Sequence, residues 1–198
     1  FVHQNPWTTE ELLRTIDLIK KKSGEKYFIM AHGDATYGIP SGVNMTEHVG
    51  KFYDSPDEMK INAEQMVESA VKNAEQIKKH GGLDGFALCS DYCLNTGPFF
   101  SPDMFAEFVA PYLKKLISEY RKLGLYAIKH TDGNIMPILD YLLDANPHAL
   151  HSLDPQGGID MAVIKKLAGD KVCLIGNVDC ALIDTGTEEQ YLNSARYA

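Results

Sequence analysis

Five short apolar segments of the sequence end in polar residues, and longer amphipathic segments separate them. Nearly continuous apolar runs of this length are typical of strands that are buried on both faces of a sheet. Strands that alternate with helices predict a parallel sheet, because parallel neighbours need a crossover connection that is usually a helix. We therefore predict an α/β fold with buried strands at 27–32, 85–91, 126–132, 149–154 and 172–179.

Four of the amphipathic segments begin with residues that favour a helix start. A serine or threonine hydroxyl accepts a hydrogen bond from a free backbone N–H of the first turn, and proline fits the first helical position. Glutamate or glutamine three residues later completes a capping box. The predicted starts are Thr8, Ser55-Pro56, Ser101-Pro102 and Thr187, and Gly124 is a C-cap for a helix predicted over 104–123.

The polar strand ends favour a closed barrel over an open, doubly wound sheet. An open sheet places its chemistry at one switch point, whereas a barrel builds one site from most of its strand ends. The sequence also lacks the GxGxxG and GxxxxGK[ST] motifs of nucleotide-binding open sheets. We predict a (β/α)8 TIM barrel in a single domain, of which residues 1–198 are an incomplete portion, because five strands are recognisable and eight are needed.

Charge, hydropathy and cysteine spacing exclude several classes of function. A formal net charge of −8 argues against nucleic acid as a partner, because phosphate neutralisation needs a basic surface. No apolar run reaches the roughly 18 residues of a membrane span, and the first residues do not resemble a signal peptide. The four cysteines form neither a disulfide framework nor a zinc motif, which predicts reduced thiols in the cytoplasm. Cys93 and Cys180, near strand ends, are the cysteines with some potential as ligands.

The segment His130-Thr131-Asp132-Gly133 is the centre of the predicted site. Alternation along the strand places His130 and Asp132 on the same side, and alternate residues of a barrel strand point inward. Two inward polar groups at the carboxyl end of a strand can form a general-base pair or half of a metal site. The alternative is a core histidine, with Asp132 capping the helix predicted over 135–143.

Acidic and amide side chains follow the neighbouring strands in the same way. We predict catalytic roles for Asp91 and Asp154, and substrate contacts for Asn177 and Asp179. An asparagine can hold a substrate by hydrogen bonds without a protonation state to tune. Helix capping by Asp154 or Asp179 is the alternative.

The ends of the first two strands are predicted to contact substrate through His32, Asp34 and Tyr92. The loops that follow barrel strands carry recognition groups. In the long loop after Tyr92, Phe99-Phe100 either covers an apolar ligand or packs beneath the loop. Four further histidines lack chemical neighbours and are assigned to the surface or the core: His3, His80, His148 and His151.

Three motifs stand in a specific order along most of the chain. The first runs from Asp91 through Gly97-Pro98-x-x-Ser101-Pro102-x-x-Phe105-x-x-Phe108 to Pro111-Tyr112. The second is His130-x-Asp132-Gly133, and the third is Gly176-Asn177-Val178-Asp179-x-x-Leu182-x-x-x-Gly186-Thr187-x-Glu189. Together they resemble the uroporphyrinogen decarboxylase superfamily, which includes the decarboxylase of haem biosynthesis and the cobalamin-dependent methyltransferases. The resemblance implies a (β/α)8 barrel.

The methyltransferase branch of this superfamily often holds zinc with His-x-Cys and a later cysteine. Zinc lowers the pKa of a bound thiol, so that the thiolate is available at neutral pH. His130 matches the histidine of that pattern, whereas Asp132 stands at the cysteine position. Since a carboxylate also binds zinc, the resemblance is compatible with a zinc site at His130 and Asp132, and an acid–base pair is the alternative.

Two departures from the decarboxylase pattern favour the methyltransferase branch. The decarboxylase uses arginines to bind a tetrapyrrole with many carboxylates, and the three arginines here, Arg14, Arg121 and Arg196, are not at strand ends. Cys180 stands where that pattern has proline. The resemblance therefore implies a cytoplasmic enzyme that transfers a methyl group to or from a corrinoid (cobalamin) carrier. Tetrapyrrole decarboxylation and a catalytically idle barrel that binds a corrinoid protein are the alternatives.

Overall fold

The five predicted strands are confirmed and form one parallel sheet in a computed structural model that describes residues 8–198. Four of them end earlier than predicted, because the polar residues at the carboxyl end leave the ladder and enter the next loop. A short antiparallel hairpin follows the second strand of the sheet. The strands are β1 (Met30–His32), β2 (Gly85–Leu88), β3 (Cys93–Leu94), β4 (Gly97–Pro98), β5 (Tyr126–Thr131), β6 (Ala149–Ser152) and β7 (Cys173–Gly176).

The strand order in the sheet is that of successive β/α units. The neighbours are β1-β2-β5-β6-β7, and every pairing is parallel. A doubly wound sheet reverses its order at a switch point, and no reversal occurs among residues 8–198. The arrangement is therefore the one that barrels use, as predicted.

Helices connect the strands, and several start where the sequence predicts. The capping boxes at Thr8 and Thr187 are present, and Ser101 caps its helix. Ser55 makes no side-chain capping bond. No helix in the described part of the chain is long and apolar enough to cross a membrane. The helices are α1 (Thr9–Ser23), α2 (Met45–Asp54), α3 (Pro56–His80), α4 (Pro102–Phe108), α5 (Ala110–Lys122), α6 (Leu139–Asp144), α7 (Met161–Ala168), α8 (Cys180–Thr185) and α9 (Glu188–Tyr197).

The single helix predicted over 104–123 is wrong. The segment forms α4 and α5, with a break at Val109. Pro111 accounts for the break, because its ring lacks an N–H donor and would clash with the carbonyl of Glu107 in a continuous helix. The helix predicted over 135–143 is also divided, into a 3₁₀ turn at Met136–Ile138 and α6.

The two faces of β5 have different environments. Alternate residues of β5 are buried against the helices. The residues between them lie on the opposite face and are partly or fully exposed. Phe86 of β2 belongs to the helix side, where it stacks on Tyr120 of α5 with ring centroids 4.5 Å apart. His130 belongs to the partly exposed set, and the strand register places it beside His151 of β6. The open face therefore carries the side chains that a barrel directs inward.

The loop after β2 is the hairpin β3–β4, and its backbone packs on Gly133. A Cβ atom at Gly133 would lie 2.6 Å from the carbonyl oxygen of Leu94, and the N–H of Asn134 donates to that oxygen at 2.9 Å. Phe100 is buried against Phe52, with ring centroids 4.9 Å apart. The aromatic residues after the hairpin thus pack beneath the loop, which was one of the two alternatives.

Gly176 ends β7 where the backbone of β6 comes close. Its φ of +123° is rare for other residues, and a Cβ atom there would overlap the carbonyl oxygen of Ser152. We predict that Gly176→Ala lowers the free energy of unfolding by about 3 kcal/mol or more. Gly158→Ala is the matched control, because Gly158 has a φ of +75° with open space around its Cβ, and about 1 kcal/mol is expected there. Equal losses in urea unfolding of the two variants would contradict the steric account.

Candidate active site

The carboxyl ends of β2 and β5 bring three polar side chains together on the open face. Oδ1 of Asp91 lies 3.6 Å from Nε2 of His130, and Oδ2 of Asp132 lies 3.9 Å from the same nitrogen. One ligand atom from each residue lies within 4.8 Å of the other two. Both carboxylates are about half-exposed, at 48% and 53%. These three residues are named the site cluster below.

Hydrogen bonds hold both carboxylates of the site cluster. The backbone N–H of Asp132 donates to Oδ1 of Asp91 at 3.2 Å, and the Ser152 hydroxyl donates to Oδ1 of Asp132. Asp154 lies next to them, where its Oδ2 accepts the N–H of Gly133 at 3.3 Å. The structure therefore brings together all four residues that were predicted as catalytic.

His151 belongs to the site, although the sequence analysis assigned it to the surface or the core. Its Nδ1 lies 2.7 Å from Nδ1 of His130, so one of the two nitrogens donates and the other accepts. Burial lowers the pKa of His151, and His130 lowers it further, while Asp132 raises it. Either nitrogen can be the donor in this pair, and the contact holds the two imidazole rings in a fixed relative orientation. The pairing depends on the register of β5 and β6, which no local pattern in the sequence reveals.

Nε2 of His130 lies within 4 Å of one oxygen of each carboxylate in the site cluster. Within residues 8–198, no lysine or arginine forms an ion pair with Asp91 or Asp132. The two carboxylates would balance the charge of a divalent cation held by these three side chains. A nitrogen and two oxygens are donors that zinc accepts, with a fourth position free for a substrate. The cluster can thus serve as an acid–base group or as a metal centre.

A cleft of about 470 Å³ lies beside the site cluster and includes Asp132, His151 and Asp154 among its lining residues. Asp154 also stabilises the 3₁₀ turn Pro155–Gly157, because its Oδ1 accepts the N–H of Gln156 at 2.9 Å. Catalytic and capping roles were alternatives for Asp154, and the structure places it where both are available.

Asp179 lies at the start of α8 and caps it. Its Oδ1 accepts the N–H of Ala181 at 2.9 Å and the side-chain N–H of Gln156 at 3.2 Å. The capping alternative therefore describes Asp179, and its bond to Gln156 links α8 to the lining of the cleft.

Asn177 is not placed to contact a substrate, contrary to the prediction. Its side chain is buried, and Nδ2 donates to the carbonyl oxygens of Leu153 at 2.6 Å and Ile159 at 2.8 Å. Leu153 has a φ of +55°, which is unfavourable for a bulky side chain. Asn177 thus stabilises a strained loop at the edge of the cleft.

Asp34 and Tyr92 lie beneath the site and do not reach the cleft, which corrects their assignment to substrate binding. The Asp34 carboxylate is 1% exposed and forms an ion pair with Lys129, at 2.8 Å between Oδ2 and Nζ. Burial raises the pKa of Asp34, but Lys129 and bonds from Thr36 and Ser90 outweigh this and lower it below its ordinary value. Tyr92 is 1% exposed, and its hydroxyl lies 2.6 Å from Oγ1 of Thr36.

Lys129 was not among the predicted site residues. Its side chain is completely buried. Burial lowers the pKa of Lys129, and the charge of Asp34 opposes that shift. Two backbone carbonyls also accept hydrogen bonds from Nζ, so the ammonium form has partners for each of its hydrogens. A lysine inside an otherwise apolar strand was the available signal, because lysine is rarely buried without a partner.

Three other residues that were candidates for substrate or ligand contacts are not members of the site cluster. His32 is on the edge strand β1 and lines a groove with Leu12 and other residues of α1. Cys93 is buried, and burial raises the pKa of its thiol to about 12, so it is protonated at neutral pH. Cys180 is exposed and lines the cleft. His3 lies outside the described residues.

Comparison with known proteins identifies the family. A family model described as uroporphyrinogen decarboxylase (URO-D) matches residues 5–196. This chain belongs to the URO-D family. No curated protein matches it. Among solved structures, it is similar to a methyltransferase from Methanosarcina mazei, with a TM-score of 0.70 and 21% identity.

The match to that methyltransferase covers 85% of this chain and 48% of the other. The chain therefore spans about half the length of that relative. At this level of identity the similarity supports the fold, and it agrees with the parallel β/α arrangement described above. The family resemblance inferred from the three sequence motifs is thus confirmed.

The surroundings of His151 predict its titration. In metal-free protein, we expect the NMR titration midpoint of His151 to lie below 6.5, because burial and His130 oppose its protonation. His130→Gln removes a competing positive charge and should raise the midpoint. Asp132→Asn removes a favourable carboxylate and should lower it further. A midpoint at or above 6.5, or one that neither substitution moves, would contradict the arrangement.

Proposed function

We propose that this URO-D family protein is a cytoplasmic enzyme that transfers a methyl group to or from a corrinoid (cobalamin) carrier protein. The observation that carries the proposal is the convergence of Asp91, His130 and Asp132 on one point beside an open cleft. An imidazole and two carboxylates suit a divalent cation that keeps one position for a substrate. The similarity to a methyltransferase supports the choice of reaction.

The described residues have separate tasks in this proposal. Zinc, when bound by the site cluster, lowers the pKa of a thiol or water beside it. His151 orients the His130 ring through the contact between their Nδ1 atoms, and Ser152 orients Asp132. A thiol acceptor would lose its proton to solvent, and its thiolate would form an S–C bond to the methyl carbon of the carrier while the electron pair of the broken Co–C bond stays on cobalt. Transfer to the carrier is the reverse step.

Tetrapyrrole decarboxylation is the second candidate, and the positions of the arginines rank it lower. Arg121 donates to the carbonyl of Asn146, and Arg196 donates to Asn193. Arg14 lies on α1. None of the three lines the cleft beside the site cluster, where the carboxylates of a tetrapyrrole need cationic partners. An idle barrel that binds a corrinoid protein is the third candidate.

Methyl transfer is tested by incubating the full-length protein with methylcobalamin and a panel of thiol and amine acceptors. We expect the absorbance spectrum to report loss of the Co–C bond. His130→Ala should reduce the rate by about 100-fold, because it removes a side chain at the centre of the site cluster. His80→Ala is the control, since His80 pairs with Asp17 on the surface, away from the site, and should keep the wild-type rate.

The assay separates the three candidates. An unchanged cobalt spectrum together with formation of coproporphyrinogen from uroporphyrinogen would replace methyl transfer with decarboxylation. Absence of both reactions, together with retained binding of a corrinoid protein, would favour the idle barrel. Equal rates for wild-type protein and His130→Ala would show that the site cluster was wrongly chosen.

A further inference from the structure

We propose that the buried ion pair of Asp34 and Lys129 positions Asp91 against His130. The pair is then a positioning device of the active site and not only a part of the core. The inference rests on the proposed site, but it is independent of which group the enzyme transfers. Its basis is the set of bonds that the pair makes to the residues on either side of Asp91.

The first set of bonds holds Ser90, the residue before Asp91. Oδ2 of Asp34 accepts the backbone N–H of Ser90 at 2.9 Å. Nζ of Lys129 donates to the carbonyl oxygen of Ser90 at 2.8 Å and to that of Leu88 at 3.2 Å. Both backbone polar groups of Ser90 are therefore bonded to the ion pair.

The second set of bonds holds Tyr92, the residue after Asp91. The Tyr92 hydroxyl lies 2.6 Å from Oγ1 of Thr36, and the Thr36 hydroxyl donates to Oδ1 of Asp34 at 2.6 Å. Nζ of Lys129 lies 3.9 Å from the centroid of the Tyr92 ring, which is a cation–π contact. The backbone N–H of Tyr92 donates to Oγ1 of Thr131, the residue after His130, at 2.9 Å.

Asp91 itself depends on this support because its carboxylate is about half-exposed. The hydrogen bond it accepts comes from the backbone of Asp132 at 3.2 Å, and its contact with His130 is 3.6 Å. Its position is therefore set through its backbone. A shift of Ser90 or Tyr92 moves the carboxylate away from Nε2 of His130.

Stability alone does not explain a charged pair at this depth. Desolvation of two ions offsets most of their attraction, and replacing a buried pair by well-packed apolar residues of similar volume is often neutral for stability. Loss of one partner is severe, because the other charge is left unpaired. The informative variant therefore removes both charges, as Asp34→Asn with Lys129→Met.

The matched control removes the same two charges at the surface. Lys114 and Asp144 also form an ion pair with a distance of 2.8 Å, and both side chains are more than half-exposed. Lys114→Met with Asp144→Asn should leave both readouts below unchanged. Tyr92→Phe is a milder second variant that keeps the ring and removes the hydroxyl bonded to Thr36, in case the buried double variant does not fold.

The first readout needs no metal and no activity. Amide hydrogen exchange at Ser90 and Tyr92, whose N–H groups are bonded to Asp34 and Thr131, should accelerate by about tenfold or more in the buried double variant, and less in Tyr92→Phe. The amides of β6 should keep their wild-type rates. Unchanged exchange at these two residues would overturn the proposal. A uniform rise throughout the sheet would also overturn it, because a purely structural pair affects the whole sheet.

The second readout is the affinity for Zn²⁺, measured by competition with a chromophoric chelator. The buried double variant should bind zinc about 10–100-fold more weakly than wild type, as supporting residues of metal sites do. Wild-type affinity in that variant would overturn the positioning role. If the wild-type protein binds no zinc, the metal site is refuted, and hydrogen exchange alone then decides the role of the pair.

Discussion

The register of β5 between β2 and β6 determines where the groups of the site lie. It sets His130 opposite His151 and Lys129 opposite Leu88, with adjacent residues of β5 on opposite faces of the sheet. Because the side-chain period of a strand is two, a slip of one residue would send His130 among the helices and Lys129 into the cleft. The Asp34–Lys129 pair opposes that slip, since the slip would leave the buried Asp34 carboxylate without its cationic partner. The ion pair therefore stabilises the strand register, and the register in turn sets the positions of the site residues.

Most of the fold could be predicted from local patterns, because buried parallel strands and helix caps are local signals. The five strands and the capping boxes at Thr8 and Thr187 are examples. The break at Val109 was also readable from Pro111, but the amphipathic pattern across it suggested one helix. The bounds of strands were less accurate, because the polar ends belong to the loops that carry the site.

The sequence predicted where the central polar residues of the site lie, but it did not predict the buried residues that support them. Polar residues directly after a strand indicated Asp91, Asp132 and Asp154 correctly in position, because strand ends of parallel sheets share one edge. The same rule misplaced Asn177 and Asp34, whose partners are far along the chain: Asn177 bonds the loop after β6, and Asp34 bonds β5. Which strand-end residues turn into the cleft and which turn under it depends on these tertiary partners.

Asp132 contributes a second carboxylate to the site cluster. A thiolate at this position would favour soft cations, whereas two carboxylates with an imidazole favour harder ones, including zinc with oxygen ligands. The two carboxylates beside Nε2 of His130 have no lysine or arginine partner within residues 8–198. A cation bound at this point would relieve their repulsion and would place a reactive ligand toward the cleft.

Anomalous diffraction from crystals of the protein grown with Zn²⁺ would show directly whether the site cluster binds the ion. Data collected on both sides of the zinc absorption edge locate the ion without any assumption about the reaction. We expect one strong peak within about 2.2 Å of Nε2 of His130 and of a carboxylate oxygen from both Asp91 and Asp132. A fully occupied zinc ion bound elsewhere, with no peak among these three side chains, would contradict this expectation.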